Sequence, residues 1–184
     1  SALQTPCLSF SNRQHAPQYL SMASDWREAA DRSVIVVGAT GGLGLPIARR
    51  LADQGCRLTL VGRDADRLRA TEVPGVIVAA DVRKAASASQ IVEATVAEQG
   101  GVDGILFAAG AVAFGAVDEL SDDVMIDLFT LNALAPMRLL RAALPALRAS
   151  AAAGHDPFLA HISAVVAEQP FGLKPQAPLS QRGR

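Results

Sequence analysis

The stretch from Val34 to Leu51 constrains the fold of this chain more than any other. It opens with four apolar residues, three of them valine, which is typical of a strand buried on both faces of a parallel sheet. Gly41, Gly42 and Gly44 then let the backbone turn tightly and approach a ligand closely. Pro46 suits the first turn of a following helix. A strand, a glycine-rich turn and a helix N-terminus together predict a site for a dinucleotide pyrophosphate.

Two other interpretations of this stretch are weaker. An ordinary structural turn between a strand and a helix also uses glycine, and the local residues alone leave that alternative open. A phosphate-binding P-loop is disfavoured because no Gly-Lys-Ser/Thr sequence follows the strand.

Composition sets the broad class of protein. The 184 residues suffice for one domain with a sizeable core, and half of them are apolar. A formal net charge of −1 gives no indication of a nucleic-acid partner. Cys7 and Cys56 lie too far apart for a metal or redox motif, and Cys56 is predicted to be a small buried residue. Since no apolar run approaches the about 18 residues of a membrane helix, the sequence predicts a cytoplasmic protein without a membrane partner.

Apolar strand segments alternate with helical segments from Ser33 onward. This alternation predicts an α/β fold with a Rossmann-type doubly wound parallel sheet. A chain reversal after the third strand gives the expected strand order 3-2-1-4-5. A long helix is expected from Ser121 to about Ala149, broken near Pro136 or Pro145. The predicted strands cover residues 34–37, 57–61, 76–80, 104–109 and 158–163.

Three shorter helices are predicted between the strands. The first covers residues 45–54 and stops at Gly55. The second is short and begins at Asp64, whose side chain can cap it. The third has its apolar face at Ile91, Val92, Thr95 and Val96.

The chain divides into three parts on composition. Residues 1–31 are predicted to form an irregular N-terminal extension, of which residues 1–21 are expected to be disordered or to lie upstream of the natural start. Residues 32–170 form the predicted dinucleotide-binding domain. Residues 171–184 show no helical apolar stripe, which predicts an irregular C-terminal tail.

Several residues with useful chemistry follow directly after the predicted strands. Because ligands of such sheets bind at the carboxyl ends of the strands, we expect these residues to converge. Each also has a structural alternative: Asp81 as a helix cap, Asn132 as a satisfied amide within a helix, and Ser163 as an ordinary strand-end residue. The strand ends carry Gly38–Gly44, Arg63, Asp81, Ala108–Gly110 and Ser163.

The pattern Gly38-xxx-Gly42-x-Gly44 resembles the short-chain dehydrogenase/reductase family, and the later strand ends match in the family's order. The resemblance implies an NAD(P)-binding Rossmann domain and an oxidoreductase acting on a small-molecule alcohol or carbonyl. It implies catalytic roles for Asn132 and Ser163. The implied cofactor-binding residues are Gly38, Thr40, Gly41, Gly42, Leu43, Gly44, Arg63, Asp81, Val82, Ala108, Ala109 and Gly110.

The end of the second strand predicts the choice of cofactor. An arginine at this position accommodates the 2′-phosphate of NADP, whereas an acid there binds the ribose 2′-hydroxyl of NAD. Arg63 comes first after the strand, and Asp64 is interpreted as the helix cap. NADP is therefore the predicted cofactor, with NAD as the alternative.

The catalytic end of the family pattern is missing from this sequence. Protonation of a carbonyl during hydride transfer needs an acid, which in the family is a tyrosine followed four residues later by a lysine. The single tyrosine is Tyr19, ahead of the predicted domain. The resemblance therefore implies a truncated or frame-shifted chain, catalytically impaired and lacking the C-terminal strands of the full family fold. The expected tyrosine and lysine positions hold Gln176, Ala177, Ser180 and Gln181.

A fifth strand without a further neighbour would leave an open sheet edge. Such an edge can pair with another chain, so a homo-oligomer or aggregation is expected. Two alternatives to an impaired oxidoreductase are a non-catalytic dinucleotide-binding module and a defective truncated gene product. An epimerase-type relative is a weaker alternative because the spacing of Gly41, Gly44 and Ile47 lacks the third glycine.

Overall fold

The computed structural model describes residues 30–114 and 116–163. Within this part of the chain, five strands alternate with helices. The strands are β1 (Ser33–Val37), β2 (Arg57–Gly62), β3 (Val76–Ala79), β4 (Gly104–Phe107) and β5 (Phe158–His161). The helices are α1 (Gly44–Asp53), α2 (Ala65–Arg69), α3 (Ser87–Gln99), α4 (Asp122–Phe129) and α5 (Ala135–Ala152), with a 3-10 turn at Val117–Glu119 and a π-helical segment at Thr130–Leu134.

The described strands form one parallel sheet in the order β3-β2-β1-β4-β5. This order confirms the predicted doubly wound topology. The reversal lies between β1 and β4, where Val37 pairs with Val61 on one side and with Phe107 on the other. The carboxyl ends of these strands therefore meet at one edge of the sheet, where such folds bind ligands.

Alternate residues of β1 enter two separate cores, one on each face of the sheet. Ile35 and Val37 pack in a core that includes Leu139 from α5. Val34 and Val36 pack in the opposite core with residues of α1 and α2. All five residues of β1 are buried, which explains the continuous apolar run in the sequence.

The predicted short helix after β2 is confirmed, and its cap is built as expected. The Asp64 side chain accepts hydrogen bonds from the backbone N–H groups of Asp66 and Arg67, at 2.9 and 3.1 Å. The helix after β3 differs in one detail: Ile91, Val92 and Thr95 are buried, but Val96 is exposed. The predicted apolar face was therefore wrong at Val96.

The predicted long helix is interrupted by the π-helical segment Thr130–Leu134, which directly precedes α5. Pro136 has no backbone N–H and cannot donate a hydrogen bond. It lies in the first turn of α5, where the hydrogen-bonding pattern changes from π-helical to α-helical. Pro145 lies inside α5, which continues through it. A break near Pro136 was therefore predicted correctly, and the alternative at Pro145 was wrong.

Two further features depart from expectation. Strands β4 and β5 each end two residues earlier than predicted, at Phe107 and His161. Cys56 is half-buried, although it was expected to be buried, and its partial burial raises the pKa of the thiol.

Across residues 30–114 and 116–163, none of the helices has the length and apolar character needed to cross a membrane.

Candidate functional site

A cleft of about 320 Å³ opens at the carboxyl ends of β1, β2, β3 and β4. It lies at the chain reversal, which is the position expected for a ligand in this topology. The sheet brings together most of the residues that the sequence indicated for the cofactor. Those that line the cleft are Gly38, Thr40, Gly41, Arg63, Asp81, Val82, Ala108, Ala109 and Gly110.

Five of the predicted site residues do not line this cleft. Gly42, Leu43 and Gly44 belong to the same glycine turn as Gly41 but lie beside the cavity. Asn132 lies in the π-helical segment, and Ser163 is an exposed residue two positions after β5. The positions expected for the catalytic tyrosine and lysine fall outside the described residues.

The glycine turn is shaped by close approaches that exclude side chains. Gly38 has a φ of +83°, and a Cβ there would lie 2.9 Å from the backbone nitrogen of Ala109. A Cβ on Gly44 would overlap the carbonyl oxygen of Gly38. Gly42, by contrast, is exposed, and a Cβ there would meet no atom within 4 Å. The turn therefore requires glycine at positions 38 and 44, whereas a side chain would fit at position 42.

The turn presents backbone donors at the N-terminus of α1. The N–H of Leu45 donates to the carbonyl of Gly41 at 3.0 Å, which starts the helix. The preceding N–H groups, those of Gly42, Leu43 and Gly44, donate to no acceptor among residues 30–114 and 116–163. Unpaired donors at the positive end of a helix dipole fit a phosphate group.

Asp81, at the end of β3, forms a paired contact with Arg83. The Nε and Nη2 groups of Arg83 donate to Oδ1 and Oδ2 of Asp81 at 3.0 and 2.8 Å. The backbone N–H of Arg83 also donates to Oδ1, at 3.1 Å. The hydrogen bond from the Arg83 side chain is the main cause that lowers the pKa of Asp81, so this carboxyl is ionised at neutral pH.

Arg83 also reaches across the cleft to α4. Its Nη1 group donates to both oxygens of Asp127, at 3.0 and 3.1 Å. Its contacts with the two carboxylates, first of all the hydrogen bond to Asp81, raise the pKa of the guanidinium above its ordinary value. Each of the three guanidinium nitrogens therefore donates to a carboxylate.

Arg63 is the cation that remains available at the rim of the cleft. Its side chain is exposed and makes no hydrogen bond or ion pair within the described part of the chain. It is close enough to Asp81 for its charge to help lower that residue's pKa. The carboxylate of Asp64 accepts a hydrogen bond from its own helix. Of the two residues that follow β2, Arg63 therefore lines the cavity and Asp64 does not.

Asn132 connects the π-helical segment to the loop after β4. Its Nδ2 donates to the carbonyl of Ala111 at 2.8 Å, and its Oδ1 accepts from the N–H of Ala111 at 3.1 Å. Gly110 is close to this pair, since a Cβ there would lie 3.2 Å from Oδ1. Both polar ends of the amide are thus used to position one wall of the cleft.

A second polar cluster surrounds Asp103 at the amino ends of β1 and β4, opposite the cleft. This buried carboxylate accepts from the N–H of Ser33 at 2.8 Å, the hydroxyl of Ser150 at 2.6 Å and Nδ1 of His155 at 2.9 Å. Burial acts to raise the pKa of Asp103, but the hydrogen bonds from Ser150, Ser33 and His155 together outweigh it and lower that pKa. The cluster ties β1, β4 and the end of α5 together.

Sequence reasoning missed Arg83 and Asp127, both of which line the cleft. Arg83 could have been found, because it follows a strand end by only a few residues in a region already singled out. Asp127 carried no comparable signal, since it lies 44 residues later on a helix with no distinctive motif. Tertiary folding alone brings it beside β3.

The described fold and its cleft define the class of protein. A parallel sheet in the order 3-2-1-4-5, with a glycine turn at the reversal, is a Rossmann-type doubly wound domain. The short chain dehydrogenase family profile matches residues 32–172, and the chain belongs to that family.

Two curated bacterial proteins illustrate the similarity in sequence. A protein assigned as ketoacyl reductase 1 of the granaticin polyketide synthase of Streptomyces violaceoruber is 38% identical over 113 residues, covering 56% of this chain and 41% of the relative. A protein assigned as a ketoacyl reductase in Streptomyces coelicolor is 35% identical over 119 residues, covering 61% and 46%. The matches thus span less than half the length of both relatives.

Solved structures show the same fold. L-sorbose reductase from Gluconobacter frateurii, solved with NADPH and L-sorbose, superposes with a TM-score of 0.72 at 27% identity, covering 79% of this chain and 57% of that one. A metagenomic short-chain oxidoreductase in complex with NADP superposes with a TM-score of 0.70 at 28% identity, covering 78% and 66%.

Proposed function

We propose that this chain binds NADP(H) in the cleft at the carboxyl ends of the strands, as the cofactor-binding part of a short-chain oxidoreductase. One observation carries the proposal. Three N–H groups at the start of α1, beside the cleft, have no hydrogen-bond acceptor among the described residues. These donors, on Gly42, Leu43 and Gly44, are placed to hold the pyrophosphate. Asp81 and Val82, at the end of β3, would contact the adenine end.

The preference for NADP over NAD rests on Arg63. It lines the cleft, and its guanidinium is not engaged by any described carboxylate, so it can meet a 2′-phosphate. The neighbouring acid, Asp64, is occupied as a helix cap and is a poor partner for a ribose hydroxyl. Similar structures contain NADPH or NADP in some cases and NAD or NADH in others, so they support a nicotinamide dinucleotide, and the choice of NADP rests on Arg63.

The proposed reaction is the interconversion of a small carbonyl compound and an alcohol. Bound NADPH would supply the hydride. The described residues bind and orient: the glycine turn holds phosphates, and Asn132 fixes the cleft wall through Ala111. Asn132 and Ser163 stay candidate catalytic residues because the resemblance to the family implies that role. A proton donor comparable to the family's tyrosine is absent from the sequence after Tyr19.

A non-catalytic dinucleotide-binding module is the second candidate, and the tyrosine content of the chain favours it. With Tyr19 as the single tyrosine and no Tyr-xxx-Lys sequence, the chain has the groups that bind and lacks the acid that the family uses. A defective gene product is the remaining alternative, and it predicts that the purified chain aggregates without binding nucleotide.

Fluorescence titration with NADPH, followed by assays on a panel of carbonyl substrates, separates these possibilities. The panel includes a β-ketoacyl thioester and L-sorbose, because similar proteins carry those activities in their names. Saturable NADPH binding without turnover supports an impaired oxidoreductase or a module. Turnover contradicts the inference drawn from the missing tyrosine. Absence of binding by a monodisperse protein overturns the proposed function.

A further inference from the structure

The cleft contains a charged bridge that neither the glycine turn nor the cofactor motif explains. We name it the Asp81–Arg83–Asp127 bridge. Arg83 places Nε and Nη2 on Asp81 and Nη1 on Asp127, so one guanidinium joins the end of β3 to α4. Its side chain is 31% exposed and that of Asp81 is 26% exposed, which shields this pair from solvent in part.

Apart from its continuation into the π-helical segment and α5, helix α4 has few contacts that fix it to the rest of the fold. None of its residues is buried, and Met125, Ile126 and Phe129 are exposed apolar side chains. Among residues 30–114 and 116–163, the contact of Arg83 with Asp127 is the side-chain ion pair that joins α4 to the sheet. The π-helical segment and α5 place α4 beside the cleft, and the contact with Arg83 holds it against the end of β3.

The backbone around Arg83 is held independently of its side chain. The hydroxyl of Ser87 donates to the carbonyl of Asp81 at 2.7 Å. Nη1 of Arg138 donates to the carbonyl of Arg83 at 3.0 Å. Because these bonds pin the loop, replacing the Arg83 side chain should release the two carboxylates without unfolding the segment.

We propose that Arg83 is a positioning residue that couples recognition of the adenine end of the nucleotide to the seating of α4. The inference rests on the proposed function, since it assumes that Asp81 faces the adenine moiety. Arg83 holds the Asp81 carboxylate in one orientation and ties the same group, through Asp127, to the helix that borders the cleft. Nucleotide binding and α4 order then stabilise each other, because coupling between two sites is reciprocal.

The bridge also separates the roles of two arginines in the cleft. Each guanidinium nitrogen of Arg83 donates to a carboxylate, whereas Arg63 has no such partner among the described residues, so we assign the 2′-phosphate to Arg63. A guanidinium can span both partners because its donors form a rigid fork, whereas a lysine ammonium is a compact point charge. Arg83→Lys therefore should not restore the coupling.

Hydrogen exchange in the nucleotide-free protein tests the tie to α4. We expect amides of residues 122–129 to exchange at least about fivefold faster in Arg83→Met and Asp127→Asn than in the wild type. Asp123→Asn is the matched control, because Asp123 is an exposed acid on the same helix with no ion pair among the described residues. Unchanged exchange in both bridge variants would overturn the inference.

Calorimetric titration with two nucleotide fragments tests the coupling to the site. Adenosine 2′,5′-bisphosphate carries the adenine end, and reduced nicotinamide mononucleotide lacks it. We expect Arg83→Met and Arg83→Lys to bind the adenine fragment about tenfold more weakly and the nicotinamide fragment unchanged. Asp127→Asn, which leaves Asp81 paired with Arg83, should lose about threefold in affinity together with the nucleotide-induced protection of α4.

The outcomes separate this inference from the proposed function. Wild-type affinity of Arg83→Met for the adenine fragment would overturn the coupling while leaving nucleotide binding intact. Equal weakening of both fragments would also overturn it, because a positioning role at Asp81 acts on the adenine end alone. If the wild type bound neither fragment, the proposed function and the coupling would both fail, and faster exchange in the variants would then mark a purely structural tie.

Discussion

The side-chain amide of Asn132 and the backbone of Ala111 form a two-point hydrogen-bonded pair, with distances of 2.8 and 3.1 Å. The pair closes a contact between residues 21 positions apart and fixes the loop that follows β4. It also satisfies an amide that would otherwise compete with the helical backbone. The sequence left open whether Asn132 is a structural amide. In the structure, its side chain has a definite hydrogen-bonding partner in the backbone of Ala111.

Replacing Asn132 with alanine should destabilise the protein by about 1–3 kcal/mol, because both hydrogen bonds to Ala111 are lost from a half-buried position. Urea unfolding measures the change. Met137→Ala serves as the control, since Met137 is an exposed residue of the adjacent helix and should alter stability by less than about 0.5 kcal/mol. Equal unfolding free energies for Asn132→Ala and the wild type would contradict the structural role.

Asp103 should make stability depend on pH in the acid range. Its pKa is lower in the folded chain than the ordinary value of about 3.9. Its contribution is therefore fully present above that value and is lost as the pH falls through the lowered folded-state pKa. We expect Asp103→Asn to cost about 2–3 kcal/mol at pH 7, because charge-assisted hydrogen bonds are weakened.

The difference in unfolding free energy between the wild type and Asp103→Asn should shrink progressively between pH 5 and about pH 2. Urea titrations at several pH values measure this. Asp123→Asn provides the control, since this carboxylate is exposed and has no hydrogen-bond donor within the described segments. A difference that stays constant with pH would show that Asp103 does not titrate as inferred.

The sheet and most of the cleft could be predicted because apolar runs determine where parallel strands end. Once the run Val34–Val37 is recognised as a buried strand, the position of Gly38 at its carboxyl end follows. The same reasoning placed Arg63 and Asp81 at neighbouring strand ends, and both line the cleft. Strand ends are local features, and the topology rule then brings them to one edge.

Contacts made by distant side chains could not be predicted in the same way. Asp103 is surrounded by donors from residues 33, 150 and 155, and no local pattern links those positions. Asp127 reaches Arg83 only because the π-helical segment and α5 set the position of the preceding helix. Val96 was placed on the buried face by its apolar character, but the helix rotation that buries Ile91 leaves Val96 exposed.

Two glycines of the turn should respond in opposite ways to alanine substitution. Gly44→Ala places a Cβ against the Gly38 carbonyl and should cost at least about 1–3 kcal/mol of stability, as overpacking does. Gly42→Ala meets no atom within 4 Å and should leave stability within about 0.5 kcal/mol of the wild type. Thermal unfolding measures both.

The same Gly42→Ala variant should bind NADPH more weakly, because a methyl group would stand beside the donors proposed for the pyrophosphate. Fluorescence titration of this stably folded variant measures the effect without interference from unfolding. Undiminished NADPH affinity in Gly42→Ala would argue that the phosphates lie elsewhere.

Arg63→Ala should remove the preference for NADPH over NADH. The loss of a charge-assisted contact with the 2′-phosphate should weaken NADPH binding by about tenfold or more, and NADH binding should change little. Arg67→Ala is the matched control, since Arg67 is an exposed arginine of α2 that does not line the cleft. Parallel weakening of NADPH and NADH in Arg63→Ala would exclude a selective role for this residue.

The outer edge of β5 should govern self-association. In the described sheet, β5 pairs with β4 on one side and has no strand on the other, and Leu159 is 38% exposed. Unpaired strand edges readily add strands from other molecules, and a charged side chain opposes such pairing. Leu159→Lys should therefore shift the protein toward smaller species in light scattering across a concentration series. Met137→Lys adds the same charge at an exposed position on α5 instead of on β5 and should leave the distribution unchanged. If both variants behaved alike, net charge rather than the open edge would control association.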